Sequence, residues 1–230
     1  MVSSLGGAVV RGEIPPGVAL PSEPELELRF GVSRSVVREA VKTLAAKGLI
    51  SVRPRHGTHV RPPHDWSLLD TDVLAWLSAG RGLDRDLLLA LEEVRGIIEP
   101  GAAALAASRA TPADRERIMN AFAAMEVSRD NPIAAIAADK AFHLAILDAT
   151  HNPVLRSFRS AIDTILSAVF DVAVDVYAEN LPNHAAVANA ILAGEPTGAR
   201  SAMECLLGFT EKHLAEDAGM PPSAAHQKKQ

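Results

Sequence analysis

The stretch from Leu20 to Val60, LPSEPELELRFGVSRSVVREAVKTLAAKGLISVRPRHGTHV, constrains this chain more than any other part of it. It reads as two short helices joined by a tight turn, followed by a small two-stranded hairpin. Ser22 and Glu25 have the spacing of a capping box, which satisfies orphan backbone donors at a helix start. Gly31 suits the left-handed position that ends that helix, and Ser33 is placed to cap the next one. Val36, Val37, Ala40, Val41 and Leu44 recur at helical spacing and are expected to face inward. Arg34, Ser35, Arg38 and Lys42 remain on the opposite side. Ile50 and Val52 alternate with polar residues, Arg53 to Gly57 turn, and Thr58 to Val60 return as a second strand. A helix that starts with hydroxyls and arginines, followed by a basic hairpin, suits a DNA groove.

Charge agrees with that reading. Residues 1–63 hold nine Lys or Arg and five Asp or Glu, a net of +4, whereas the other residues hold 14 and 23, a net of −9. The acidic whole, at −5, therefore carries a basic head, as attraction to phosphate requires.

The run PPG…LPSE…GVSR…VREA…GLI…GT across about residues 5–62 resembles the winged helix-turn-helix of GntR-type bacterial transcription regulators. The resemblance implies DNA contacts from Ser33, Arg34, Ser35 and Arg38 at the start of the recognition helix. It also implies contacts from Arg55, His56, Gly57 and Thr58 on the wing. The pattern departs at Pro24, where such regulators usually carry an arginine used on DNA. Proline in a first helical turn costs little structurally, but one contact is lost.

The 230 residues suit two domains, and a hydrophobic fraction of 48% is ample for a core. No run of 18 apolar residues suggests a membrane span, and no signal peptide is evident. The lone Cys205 cannot form an intramolecular disulfide. It fits a reducing, cytoplasmic setting and reads as a small buried hydrophobe. The fold class expected is mainly α, with the winged head at 1–63, a linker at 64–82, an all-α bundle at 83–218 and a disordered tail at 219–230. In the linker, Leu69, Val73, Trp76 and Leu77 have helical spacing.

From Leu83 onward every signal is helical. Pro100 cannot donate to the carbonyl of Gly96, so a kink or break is expected there. Thr111-Pro112-Ala113-Asp114, Asn131-Pro132 and Asn152-Pro153 open three helices as cap followed by proline. The last of these is lined by Val154, Phe158, Ile162 and Ile165. Further helices run from near Pro182 to Ala193 and from near Pro196 to Glu216, six or seven in all. Asp114, Glu116, Glu126, His151 and His213 read as surface residues.

Four polar residues interrupt the apolar stripes. Asp139 and His143 lie one turn apart on the face of Ile136 and Ile146. His184 shares a face with Val187, Ala188 and Ile191, and Arg95 lies between Leu91 and Ile98. Buried charges of this kind need partners. On residues alone, the pattern fits either a hydrogen-bonded cluster or a divalent metal site with open positions. The order Leu-Glu-Glu-Val-Arg95, then Asp139-x-x-Phe-His143, then His184-x6-Ile191 resembles the ligand-binding (FCD) domain of FadR-type GntR regulators. The resemblance implies a metal ion, such as zinc, nickel or manganese, on Asp139, His143 and His184, and an effector carboxylate on Arg95. A further histidine usual in those proteins is replaced here by Leu206.

The reading is a ligand-responsive DNA-binding regulator, a repressor by default. It would act as a homodimer on double-stranded operator DNA, controlling catabolism of a small carboxylate or sugar acid, with no membrane partner. A regulator sensing the metal itself is one alternative. A metal-dependent hydrolase is another, but no general base, G-x-S-x-G nucleophile or phosphate loop supports it.

Overall fold

The computed structural model describes residues 1–53, 57–81, 83–173 and 176–216. The tail expected at 219–230 and the wing residues Arg55 and His56 lie outside the described residues. The chain divides into two units, Met1–Leu83 and Asp84–Gln230.

In the first unit, α1 (Val2–Val10), α2 (Glu23–Phe30) and α3 (Arg34–Ala46) precede strands β1 (Ile50–Arg53) and β2 (Gly57–Val60), and α4 (Thr71–Arg81) closes the unit. Helix α1 has no counterpart in the sequence reading. Its Gly6-Gly7 pair lowers helix propensity, but Leu5, Val9 and Val10 are buried in the same cluster as Leu26, Val37, Leu44 and Val73. Tertiary burial therefore holds a helix that local signals do not announce.

The cap at α2 is as expected. Ser22 donates through its backbone N–H and its hydroxyl to Glu25 Oε2, both at 2.7 Å. Gly31 ends the helix at φ +62°. At α3, Ser33 occupies the cap position, yet its hydroxyl meets Ser35 Oγ at 2.9 Å and caps no backbone donor. Val37, Ala40 and Leu44 are buried, whereas Val36 is exposed, a correction to the inward stripe. The hairpin pairs Ile50 with Val60 and Val52 with Thr58 in antiparallel register.

Two contacts fix the end of α3. Lys47 Nζ pairs with Asp70 at 2.7 Å and with Asp72 at 2.8 Å. Gly48 turns at φ +75°, and a Cβ there would run into the Asp65 carbonyl oxygen. The segment expected as a linker thus contributes α4, with Val73 and Leu74 buried, to the first unit; Leu69 stays exposed ahead of it.

The second unit consists of α5 (Arg85–Arg109), α6 (Pro112–Ser128), α7 (Pro132–Ala149), α8 (Pro153–Arg156), α9 (Arg159–Ala173), α10 (Tyr177–Ala193) and α11 (Pro196–Glu216). Of the kink or break expected at Pro100, the break does not occur. Helix α5 continues through it, with Pro100, Ala102, Ala103, Ala106 and Ala107 all buried. Packing along 25 residues outweighs one lost hydrogen bond. The helix expected from Asn152 is instead the single turn α8 followed by α9, which leaves Val154 and Phe158 exposed. Helix α10 begins at Tyr177 and carries Pro182 inside it. Cys205 is exposed, contrary to expectation.

Asp114 is also not a surface charge. It is buried and closes the capping box with Thr111. It also pairs with Arg117 and accepts from His151 Nε2 at 2.7 Å. His151 is held at φ +50° to reach it. Burial would raise the Asp114 carboxyl, but the Thr111 and His151 hydrogen bonds outweigh that and hold it at about 2.

Truncating Leu44 to Ala removes a fully buried side chain from the first unit and is expected to cost about 2–5 kcal/mol. Both tryptophans, Trp66 and Trp76, lie in that unit, so urea unfolding followed by their fluorescence reads the loss directly. Because Asp114 has a lowered pKa, its stabilisation is complete above its ordinary value of 3.8 and fades as pH falls toward about 2. Asp114→Asn should accordingly melt below the parent protein near neutral pH, with the gap closing between about pH 4 and pH 2. Circular dichroism melts across that range check it.

Candidate effector site and DNA-reading face

Three helices of the second unit converge on one polar cluster. Helix α5 brings Glu92, Arg95 and Glu99, α7 brings Asp139 and His143, and α10 brings Asn180 and His184; all seven are buried. Asp139, His143 and His184 each offer a ligand atom, and these atoms lie within 4.8 Å of one another. The sequence spacing puts Asp139 and His143 on one face, and the α10 stripe turns His184 toward them. The four residues singled out in the sequence are therefore brought together.

The hydrogen bonds fix both imidazoles. His143 donates from Nδ1 to Glu99 Oε2 at 2.5 Å, since a carboxylate can only accept. His184 donates from Nδ1 to the Asn180 carbonyl oxygen at 3.0 Å. Each ring therefore turns an Nε2 lone pair toward Asp139. His184 Nε2 lies 3.1 Å from Asp139 Oδ1 and makes no hydrogen bond although it is buried. A lone pair and a carboxylate oxygen at that distance repel unless a proton or a cation lies between them. Imidazoles held by Nδ1–H to oxygen, beside a carboxylate, form the donor set and supporting shell of a metal site. The residues present fit a divalent cation.

Arg95 is held by two glutamates and a histidine. Its Nε donates to Glu99 Oε1 at 2.6 Å and its Nη1 to Glu92 Oε1 at 2.8 Å. Its Nη2 faces His143 Nε2 at 3.3 Å. Burial opposes the charge on Arg95, but Glu92 and Glu99 outweigh it and hold the guanidinium firmly protonated. Burial would raise Glu99, yet Arg95 and His143 hold it at about 2. Burial wins at Glu92, whose carboxyl is raised and whose Oε2 has no partner. Even with Glu92 shifted toward its neutral form, Glu99 and Asp139 outnumber the one guanidinium, an excess of negative charge that a cation offsets.

A cavity of about 40 Å³ opens on the cluster, lined by Arg95, Asp139, His143, His184, Leu206 and Thr210 among others. Leu206, which stands where a further histidine was expected from the resemblance, is part of that lining. The sequence reading missed Glu92 and Glu99. Their signal was present, because they lie three before and four after Arg95 and so share its buried face.

In the first unit, Ser33, Arg34, Ser35, Arg38 and Gly57 are exposed and Thr58 is half-buried. Glu23 accepts from Arg34 Nε at 2.9 Å and from Arg38 Nε at 3.2 Å, a pairing that sequence reasoning did not anticipate.

Residues 3–60 match the model of the gntR family of bacterial regulatory proteins, and residues 90–209 match the FCD domain. The chain belongs to the GntR family. The galactonate operon transcriptional repressor of Escherichia coli is 35% identical over 220 residues, which span 94% of this chain and 96% of that protein. The regulator LutR of Bacillus subtilis is 36% identical over 69% of this chain and 70% of its own length. Among solved structures, a GntR protein of Streptococcus agalactiae aligns with TM-score 0.51 at 25% identity, covering 92% of this chain and 97% of that one. Lar of Listeria monocytogenes shares the fold, with TM-score 0.67 at 21% identity over 94% and 95% of the two chains. This GntR-family chain is thus a DNA-binding transcription regulator with a ligand-binding FCD domain; its relatives are regulators, not enzymes. No helix among the described residues is long and apolar enough to cross a membrane.

If the lone pair on His184 serves a cation, His184→Ala should abolish or strongly weaken binding of one divalent ion per chain while leaving the helical content intact. Isothermal titration of chelator-treated protein with Zn²⁺, beside circular dichroism, measures both.

Proposed function

We propose that this chain is a repressor whose grip on operator DNA is released by a small carboxylate, a sugar acid in the first instance. The single observation that carries the effector half is the buried triad Asp139, His143 and His184, with both Nδ1 positions tied off and both Nε2 positions turned inward. Those three residues would hold a divalent cation, which supplies a coordination position for a ligand oxygen. Arg95 lines the same cavity and would take the carboxylate through its Nη2 edge, since Nε and Nη1 are engaged by glutamates. The galactonate operon repressor among the relatives supports a sugar acid. A cavity of about 40 Å³ is on the scale of roughly one water molecule's share of liquid. A multi-carbon acid therefore enters only if the walls around Leu206 and Thr210 give way.

On the DNA side, Ser33, Arg34, Ser35 and Arg38 would enter the major groove, with Arg55, His56, Gly57 and Thr58 on the wing, and two chains would pair on a near-palindrome. Glu23 is no barrier. Exposed ion pairs are weak and screened by water, so phosphate or a guanine edge displaces them readily. By linkage, an acid that favours the DNA-free state lowers operator affinity by the same factor by which DNA lowers acid affinity.

Fluorescence anisotropy with a labelled promoter fragment tests the proposal. With Zn²⁺ present, galactonate or a related acid should weaken binding about 5–150-fold. No change with any acid would overturn the switch, and an equal change with Zn²⁺ alone would make the ion the signal. Arg38→Ala should reduce the slope of log affinity against log salt by about 1 if it neutralises a phosphate. If it reads a base, it should instead flatten discrimination between promoter and random DNA.

A further inference from the structure

Glu99 stands where the two halves of the proposed effector site meet, and it is the only buried carboxylate among the described residues whose two oxygens serve both halves. Its Oε1 accepts from Arg95 Nε at 2.6 Å and its Oε2 accepts from His143 Nδ1 at 2.5 Å. It is 4% exposed, and it follows Arg95 by one helical turn on α5. We infer that Glu99 is a positioning residue that fixes the tautomer of His143, and thereby sets the cation affinity of a site it does not itself line. This inference rests on the proposed cation site.

Residue 99 must supply two acceptors at once, one for Arg95 and one for His143. A neutral imidazole has one N–H and one lone pair, and whichever nitrogen donates leaves the other to ligate. With two acceptor oxygens at residue 99, His143 donates from Nδ1 and keeps its Nε2 lone pair beside Asp139, 3.8 Å away. A glutamine is nearly the same shape but has one acceptor and one donor group. Its oxygen would be drawn to the charged Arg95 Nε–H, the same guanidinium being held through Nη1 by Glu92. Its NH₂ would then face His143 Nδ1, which must become an acceptor. The ring proton would move to Nε2, where it would meet the Arg95 Nη2 donor 3.3 Å away instead of a lone pair accepting from it, and the ligand lone pair would be lost. Glu92 provides an internal control. It is also a glutamate bonded to Arg95, but it makes no bond to His143.

The tautomer can be read without any variant. Long-range ¹H–¹⁵N correlation spectra of chelator-treated full-length protein should show His143 protonated at Nδ1, with His143→Gln giving the assignment. A spectrum showing Nε2–H in the parent protein overturns the inference. Zn²⁺ affinity is then measured by competition with a chromophoric chelator. Glu99→Gln should bind about 10–100-fold more weakly and show the Nε2–H signature, as loss of a supporting carboxylate implies. Glu92→Gln should bind within about threefold of the parent and keep the Nδ1–H signature, a margin smaller than that range. Equal weakening in both variants would mean that charge alone matters and would overturn the positioning role, as would unchanged affinity in Glu99→Gln. If the parent protein binds no Zn²⁺, the cation site fails and this role fails with it. If the parent binds and the two variants behave alike, only the role of Glu99 fails. Should Glu99→Gln not fold, the parent spectrum still decides.

Discussion

A guanidinium and three carboxylates buried inside an apolar helical bundle hold together only by pairing with one another, and the second unit is organised around that necessity. Charges removed from water cost several kcal/mol each, and the cost is recovered only when nearly every donor and acceptor is satisfied. Arg95 meets Glu92 and Glu99 along its own helix, and Glu99 reaches across to α7 at His143. From there the chain of contacts passes to Asp139 and on to α10 at His184. The groups left unsatisfied are informative. His184 Nε2 and Glu92 Oε2 are buried without hydrogen bonds, one at each end of the cluster. A bundle selected for stability alone would fill this space with leucine, as it does at Leu206.

Much of this was legible from the chain, for reasons that differ by residue. Caps and turns are local, so Ser22 with Glu25, Thr111 with Asp114 and Gly31 could be placed from spacing alone. Asp139, His143, His184 and Arg95 stood out because they interrupt stripes that are otherwise apolar. Glu92 and Glu99 were passed over because glutamate on a helix is usually a solvated face, and only their register with Arg95 marks them as buried. Asp114 was misjudged in the same way. The helix α1 and the uninterrupted α5 were hidden for a different reason. Their local signals, a glycine pair and an internal proline, argue against what tertiary burial imposes.

The DNA-reading face follows another logic. Its arginines are exposed and paired weakly with Glu23, so they stay ordered yet free to change partner. The polar cluster of the second unit is buried and specific, whereas the charges of the DNA-reading face are wet and interchangeable. The two units therefore use ion pairs for opposite purposes. Acid or salt that leaves one nearly untouched will shift the other.

The junction at the end of α3 has a mechanical corollary. Lys47 is gripped by two aspartates at the start of α4, and Gly48 lies against the Asp65 carbonyl with no room for a methyl group. Helix α4 is also the last element before the chain leaves the first unit. The reading helix is thus tied to the exit of its own unit: a displacement of α4 is felt at the C-terminal end of α3 through a lysine that both aspartates hold.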